Sequence, residues 1–376
     1  MYISTSDELR DFCDKIRGAR VVAVDTEFLR EKTYRPLLCL IQVGTKDQIG
    51  AVDPLLVDDL TPLAEVFADE SVTKVFHACG QDLEAIYDTM GVICKPVFDT
   101  QVAAAFLGMR QQTSYAAVVE GYCNVHLPKA ESLTDWSHRP LDPEQLVYAE
   151  DDVRYLPAIY DAMIDKLVRK DRLSWVEPEM AALTELSRVR KDPREAYLKL
   201  RRSNSLTRRQ LAIAREVCAW REETASKRNV PKKWIVSDEV LVEVCRRAPK
   251  NVQSLRKIRG TEQLSAKDGA ALVEAVAAGE RVPASECPSH EKHYHATTEI
   301  ESVVDLMYAL VRLVSEQSGV AAQLIATRDD LAGFIRDRKS SPLLVGWRKE
   351  LVGDKLVQLL EGETGLTVRE GRVEFI

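Results

Sequence analysis

The chain has 376 residues, 45% of them hydrophobic and 30% charged, which suits two or three globular domains with buried cores. No run approaches the roughly 18 apolar residues that span a bilayer, and Met1 to Glu8 lacks the basic and apolar regions of a secretory leader, so the expectation is a cytoplasmic protein without a membrane partner. Eight cysteines with no CxxC pair fit reduced, buried thiols.

The net charge of −7 argues against a polyanionic partner until its distribution is considered. Residues 1–200 hold 23 Lys and Arg against 34 Asp and Glu, a net of −11. Residues 201–260 hold 16 against 6, a net of +10. A middle segment of opposite sign is the footprint of a nucleic-acid-binding module, against the plainer reading of a solvated helix surface.

The first half alternates strand-like and helix-like segments. Strands are expected at 20–28, 37–44, 48–52 and 72–76. In the first, Val21 to Val24 run into Asp25 and Glu27. Residues two apart on a strand share a face, so two carboxylates project together from the end of a buried strand. Such a pair repels unless a proton or cation lies between, and hard divalent ions take carboxylate oxygens. The plain alternative is two solvated acids at a strand end.

Leu60 to Ala68 reads as a helix. The strand at 72–76 leads into another, with apolar spacing at Leu83, Ile86 and Tyr87. This puts Asp82 in a first turn, where complementing the helix dipole is its plain role. Asp99 reads as the N-cap of a helix ending near Gly108, and Ser114 to Asn124 as a further helix. A Pro-containing loop at 126–143 carries Trp136, His138 and Arg139. Pro143 then opens one long helix, about 143–170, on which Tyr148 and Asp152 lie four apart and share a face. Asp151 diverges from Asp152 by about 100°, so only one of them can join a site on that face. Four acids from three elements could hold two divalent ions about 3.5–4 Å apart for in-line displacement at phosphorus.

At these residues the chain resembles a known family. Asp25-Thr26-Glu27, His77 with Asp82, and Tyr148 with Asp152 resemble the three exonuclease motifs of the tyrosine-bearing branch of the DEDD superfamily. Ile41-Gln42, Thr134 to Leu141, and Val153 to Leu156 narrow the resemblance to the ribonuclease D family. It implies an α/β ribonuclease-H-like fold, a mixed sheet flanked by helices. It also implies two divalent ions, Mg²⁺ or Mn²⁺. Asp25, Glu27 and Asp152 would hold the ion carrying the nucleophilic water. Asp25 would bridge to a second ion, with Asp82 acting partly through water, and Tyr148 would orient the attacking water. Phe28, Gln42, His77 and Arg139 are candidates for contact with the terminal nucleotides, with packing as the alternative for each.

Beyond Arg201 the chain reads as helical. Leu206 to Gly260 resembles the HRDC module shared by helicases and ribonuclease D, and the positive segment fits nucleic-acid binding. Arg208, Arg209, Lys232, Lys233, Arg256, Lys257 and Arg259 are the phosphate-contact candidates. Trp234 could stack on a base, though a core tryptophan is the favoured reading. Ninety positions on, Gly319 to Thr327 repeats the pattern of Asn229 to Ser237, and Leu331 falls on Leu241. This suggests a second, diverged copy. Residues 284–376 carry 11 basic against 15 acidic side chains, a net of −4, so that copy is assigned packing or substrate enclosure. Cys287, His290, His293 and His295 have metal-like spacing, but a linker with incidental histidines is favoured.

The expected domains are 1–200, the exonuclease, then 201–283 and 284–376, two all-α HRDC-type units. The expected function is a 3′→5′ exoribonuclease releasing 5′-mononucleotides from RNA with a single-stranded 3′ end. The family implies precursor tRNA as the substrate. The alternatives are a 3′→5′ DNA exonuclease and a catalytically silent RNA-binding scaffold.

Overall fold

The computed structural model describes residues 1–128, 134–190, 192–290 and 298–376. Six strands form one mixed sheet: β1 (Tyr2–Ile3), β2 (Val21–Leu29), β3 (Leu37–Gly44), β4 (Ile49–Val52), β5 (Thr73–Phe76) and β6 (Val97–Asp99). Their order is β1-β4-β3-β2-β5-β6. β2 pairs antiparallel with β3 and parallel with β5, so it lies at the centre. The four expected strands are present. β1 and β6 were not anticipated, because two- and three-residue strands carry almost no periodicity of their own.

Helices cover both faces of the sheet, so β2 is apolar on both sides. Val22 and Val24 join one core with Leu9, Phe12, Leu83 and Ile86. Ala23 points the other way, into a core with Val153, Leu156 and Ile159. Asp25 and Glu27 continue the Ala23 face, and Thr26 the opposite one.

The expected single helix at 143–170 is two: Pro143–Arg154 and Leu156–Arg169, meeting at Tyr155. Pro157 removes a backbone donor, and its ring crowds the preceding turn. The ninety-residue repeat recurs in the helices. Arg208–Arg228, Lys232–Ile235 and Asp238–Arg247 are matched by Thr298–Ser318, Ala322–Ile325 and Arg328–Arg336. A C-terminal hairpin, Leu366–Arg369 with Arg372–Phe375, was not expected.

The first helical module has its own core, built on Leu211, Val217, Leu241, Cys245 and Leu272. The second shares the core beneath helix Leu156–Arg169, through Met307, Leu310, Leu331 and Trp347. Among the described residues, no helix is long and apolar enough to cross a membrane.

Candidate active site

Asp25 and Glu27 leave the central strand just before a bulge, where the register against β3 shifts between Glu27 and Phe28. Bulges add local twist and re-aim side chains. Helix Pro143–Arg154 lies across this end of the sheet. A capping box between Asp142 and Gln145 fixes its start, with Pro143 in the first turn. Its inner face presents Asp152 and, one turn earlier, Tyr148, whose ring centroid lies 6.1 Å from that of the buried Trp136.

One carboxylate oxygen from each of Asp25, Glu27 and Asp152 lies within 4.8 Å of the other two. Burial first, then the carboxylates of Asp82, Asp152 and Glu27, push the Asp25 carboxyl well above the usual range. Burial and then Asp152 and Asp82 raise Glu27 to about 8. Asp152 rises to about 7 through burial, against the Tyr148 phenol beside it, which favours the charged form. Acids held this close disfavour one another's ionisation until a cation screens them. The Oδ2 atom of Asp152 is buried and has no hydrogen-bond partner, an acceptor a cation would satisfy. On both counts the donor set fits hard divalent ions.

Asp82 approaches from the other side of β2, in the first turn of helix Gly80–Met90. The Thr26 hydroxyl donates to its Oδ1 at 2.5 Å. Asp82 therefore stands apart from the three-carboxylate cluster, yet close enough to be the foremost charge acting on Asp25. The turn before it is clamped by Asp99. That side chain accepts from the backbone N–H groups of Ala78 and Cys79, while capping the next helix through Gln101 and Val102. The clamp holds Ala78 at φ 62°, a left-handed conformation that costs an alanine about 1–2 kcal/mol. The N-cap expected of Asp99 is present, and it serves two elements at once. Asp151 turns outward: its carboxylate accepts from Arg154 at 2.8 Å, and its carbonyl accepts from the Tyr115 hydroxyl.

Several expected substrate contacts are occupied within the protein. Both ring nitrogens of His77 are engaged, by Thr100 Oγ1 at 2.9 Å and the Thr113 carbonyl at 3.0 Å. Arg139 pairs with the fully buried Asp53 and donates to the carbonyls of Trp136, His138 and Cys39. It ties the loop before helix Pro143–Arg154 to β3 and the end of β4. Gln42 sits opposite Asp25 across the antiparallel β2–β3 pair, so the two side chains share a face. It has no exposed surface, and neither its Oε1 nor its Nε2 has a hydrogen-bond partner. Phe28 stays partly exposed beside Arg30, 5.1 Å from its ring centroid.

In the first helical module, Arg208 donates to the carbonyls of Ala284 and Cys287. Arg209 donates to those of Glu280 and Val282, at the end of helix Ala266–Arg281. The Arg209 guanidinium closes that helix C-terminus, which attracts cations, while Arg208, still exposed, is tied to the turn at 284–287. Lys232, Lys233, Arg256, Lys257 and Arg259 are exposed. Trp234 is 56% exposed, against the core reading. The Cys287 thiol faces the Pro283 carbonyl and His290 Nε2 bonds to the Leu206 carbonyl; His293 and His295 lie outside the described residues.

Sequence reasoning missed Thr26, Asp53 and Tyr115. Thr26 lay between the two acids and could have been read as facing Asp82's helix from strand alternation alone. Asp53 and Tyr115 gave no signal, since their partners are 86 and 36 residues away.

Carboxylates converging beside a phenol at the end of a central strand define a metal-dependent nuclease centre. The sequence profile described as 3′-5′ exonuclease matches residues 1–168, and the HRDC domain profile matches residues 210–276. The chain is 37% identical to the ribonuclease D of Acidiphilium cryptum over 380 aligned residues, 100% of this chain and 96% of that protein. It is 39% identical to the ribonuclease D of Jannaschia sp., covering 100% of this chain and 98% of that one. The crystal structure of Escherichia coli RNase D, an exoribonuclease involved in structured RNA processing, matches with a TM-score of 0.81 at 30% identity, covering 96% of this chain and 98% of that chain.

The chain belongs to the ribonuclease D family. It is a metal-dependent 3′-5′ exoribonuclease whose substrate is RNA.

Proposed function

We propose that this chain trims RNA with a single-stranded 3′ end, precursor tRNA among its substrates, in the cytoplasm, and that Asp25, Glu27, Asp82, Tyr148 and Asp152 are its catalytic residues. The observation that carries this reading is the 4.8 Å cluster of Asp25, Glu27 and Asp152 oxygens, with the unpartnered Asp152 Oδ2 among them. Asp25, Glu27 and Asp152 would hold one divalent ion, Mg²⁺ or Mn²⁺, and Asp25 would share the second with Asp82, which would act partly through water. When bound, the ions supply hydroxide near neutral pH and neutralise the departing 3′ oxygen.

The protein's own part is positioning. Burial raises the Tyr148 phenol above its ordinary pKa, so it stays protonated and can hydrogen-bond and orient a water beside Asp152. Thr26 fixes the Asp82 carboxylate, and Asp99 fixes the turn that carries it. Lys232, Lys233, Arg256, Lys257 and Arg259 meet phosphates along the first helical module. The division into 1–200, 201–283 and 284–376 assigns hydrolysis to the first unit and RNA grip to the second. The third assists by enclosure.

Asp25→Asn tests the assignment. Hydrolysis of a 3′-extended tRNA should be abolished in Mg²⁺ and in Mn²⁺, while folding and RNA affinity stay near those of the unmodified chain. Retained cleavage would remove Asp25 from the mechanism. Matched RNA and DNA 3′ overhangs test the substrate: equal rates on both would favour the DNA-exonuclease alternative.

A further inference from the structure

The two helical modules present the same short helix in different settings. In the second, Ala322–Ile325 is closed against the catalytic domain. The Ala321 N–H donates to the Ala105 carbonyl at 2.9 Å, the Leu324 carbonyl accepts from Arg348, and Ala322 and Leu324 pack on the shared core. Ninety residues earlier, the matching helix Lys232–Ile235 carries Lys232, Lys233 and Trp234 in those positions, and all three are exposed. Trp234 stands where Leu324 is covered.

An exposed indole flanked by lysines is an uncommon use of a large apolar side chain. The flanking charges favour a polyanion over an apolar protein surface. Nearby contacts lead toward the catalytic strand. The segment after β2 reaches this module through the Tyr34 hydroxyl, which donates to Glu222 at 2.8 Å, and the Arg35 N–H, which donates to Asn229. Glu222 also pairs with Lys232 at 2.8 Å. Arg30, Lys32 and Arg35 are exposed on that segment; Arg30 is paired with Glu84 at 3.0 Å, which leaves Lys32 and Arg35 as the cations it adds beside the module.

We infer that the Lys232–Lys233–Trp234 edge is a landing platform for single-stranded RNA, with Trp234 stacking on a base while the 3′ end occupies the carboxylate site. The inference rests on the exoribonuclease reading and extends it. It explains why the repeat that docks on protein has Ala322, Gln323 and Leu324, and the repeat left open has two lysines and a tryptophan. Stacking is tolerant of sequence because every base has a π-face, which suits an enzyme that trims successive nucleotides.

The test uses the full chain bearing Asp25→Asn, which leaves RNA intact, with fluorescence anisotropy on single-stranded RNA of about 20 nucleotides and on an RNA tetranucleotide. Adding Trp234→Ala should weaken the longer RNA by roughly tenfold, the loss of one base stack, and narrow the gap between the two lengths. Trp234→Phe should recover most of the loss. Circular dichroism and thermal melting check that each variant folds. Unchanged affinity for the longer RNA, or an equal loss at both lengths, overturns the platform. Absence of metal-dependent cleavage by the unmodified chain overturns the exoribonuclease reading and the platform with it. Normal cleavage with an indifferent Trp234→Ala overturns the platform alone.

Discussion

One helical unit, repeated, serves this protein in two ways. The first copy keeps a core of its own and touches the catalytic domain through polar contacts such as Tyr34 to Glu222. The second copy has merged with that domain. Trp347 stacks on Trp175 with centroids 5.9 Å apart, meets Phe106 edge-on at 4.9 Å, and donates to Glu179. Arg172 donates to the carbonyls of both Phe106 and Ser318, joining the end of a catalytic-domain helix to the end of a module helix. A repeat that trades charge for apolar contact becomes part of the scaffold, and one that keeps its charge stays available for RNA.

The largest effect is expected at the seam. Trp347→Ala should destabilise the protein by about 3–5 kcal/mol, read from the urea midpoint, and take nuclease activity down with the fold. A loss below about 1 kcal/mol would mean that the second module is only loosely attached. A matched pair sharpens the contrast, since Leu241 and Leu331 are ninety residues apart and both have no exposed surface. Each change to alanine should cost about 2–5 kcal/mol. Hydrogen exchange should separate them: Leu331→Ala should loosen amides as far as Ala103–Phe106, and Leu241→Ala should loosen 208–281 alone.

Metal loading probes the same division from the active site. The folded values of about 8 for Glu27 and about 7 for Asp152 exceed the roughly 4 of an unfolded chain. The folded protein without metal therefore keeps protons that the unfolded chain releases, and its stability falls as pH rises from about 4 to about 8. Mg²⁺ should reverse this, adding about 2–3 kcal/mol at a hundredfold excess over its dissociation constant, with a larger gain at pH 8 than at pH 6. Exchange protection should spread through the catalytic domain and the second module and stop short of the first. Protection of 208–281 to the same degree would break the comparison. On the RNA side, Lys232→Ala with Lys233→Ala should lower the salt slope of binding by roughly one per lost phosphate contact. An unchanged slope would place the RNA elsewhere.

The parts of this architecture legible in the sequence were those encoded within a few residues. Period-two alternation put Asp25 and Glu27 on one face, a four-residue spacing did the same for Tyr148 and Asp152, and a strand–helix junction placed Asp82. What stayed hidden depends on partners remote in the chain. Arg139 looks like a free cation until Asp53, 86 positions away, is folded against it. Arg208 and Arg209 read as phosphate contacts because the carbonyls that engage them lie more than 70 residues on. Trp234 reads as core because its spacing fits, and only the absence of an opposing surface leaves it exposed. The repeat itself was visible, and its fusion to the catalytic domain was not: an apolar face such as that of Leu324 does not say which surface covers it.

The smallest expected effect is the most discriminating one for charge. Gln323 occupies the place of Lys233 in the second copy, beside a cavity of about 420 Å³ at the seam that is also lined by Glu179, Arg188, Asp330 and Arg348. Gln323→Lys restores the first copy's charge at that position without its setting. The charges lining the seam are balanced: Arg348 pairs with Glu179 at 2.6 Å and Asp330 accepts from Thr327, so an added ammonium could at most share a carboxylate that is already engaged. Exposed ion pairs of this kind contribute at most about 1 kcal/mol, so stability should barely move. RNA affinity should stay within about twofold, with the salt slope unchanged. A rise in slope of one would mean that the short helix recruits RNA wherever it bears a lysine, and that docking against the catalytic domain is not what removed the second copy from binding.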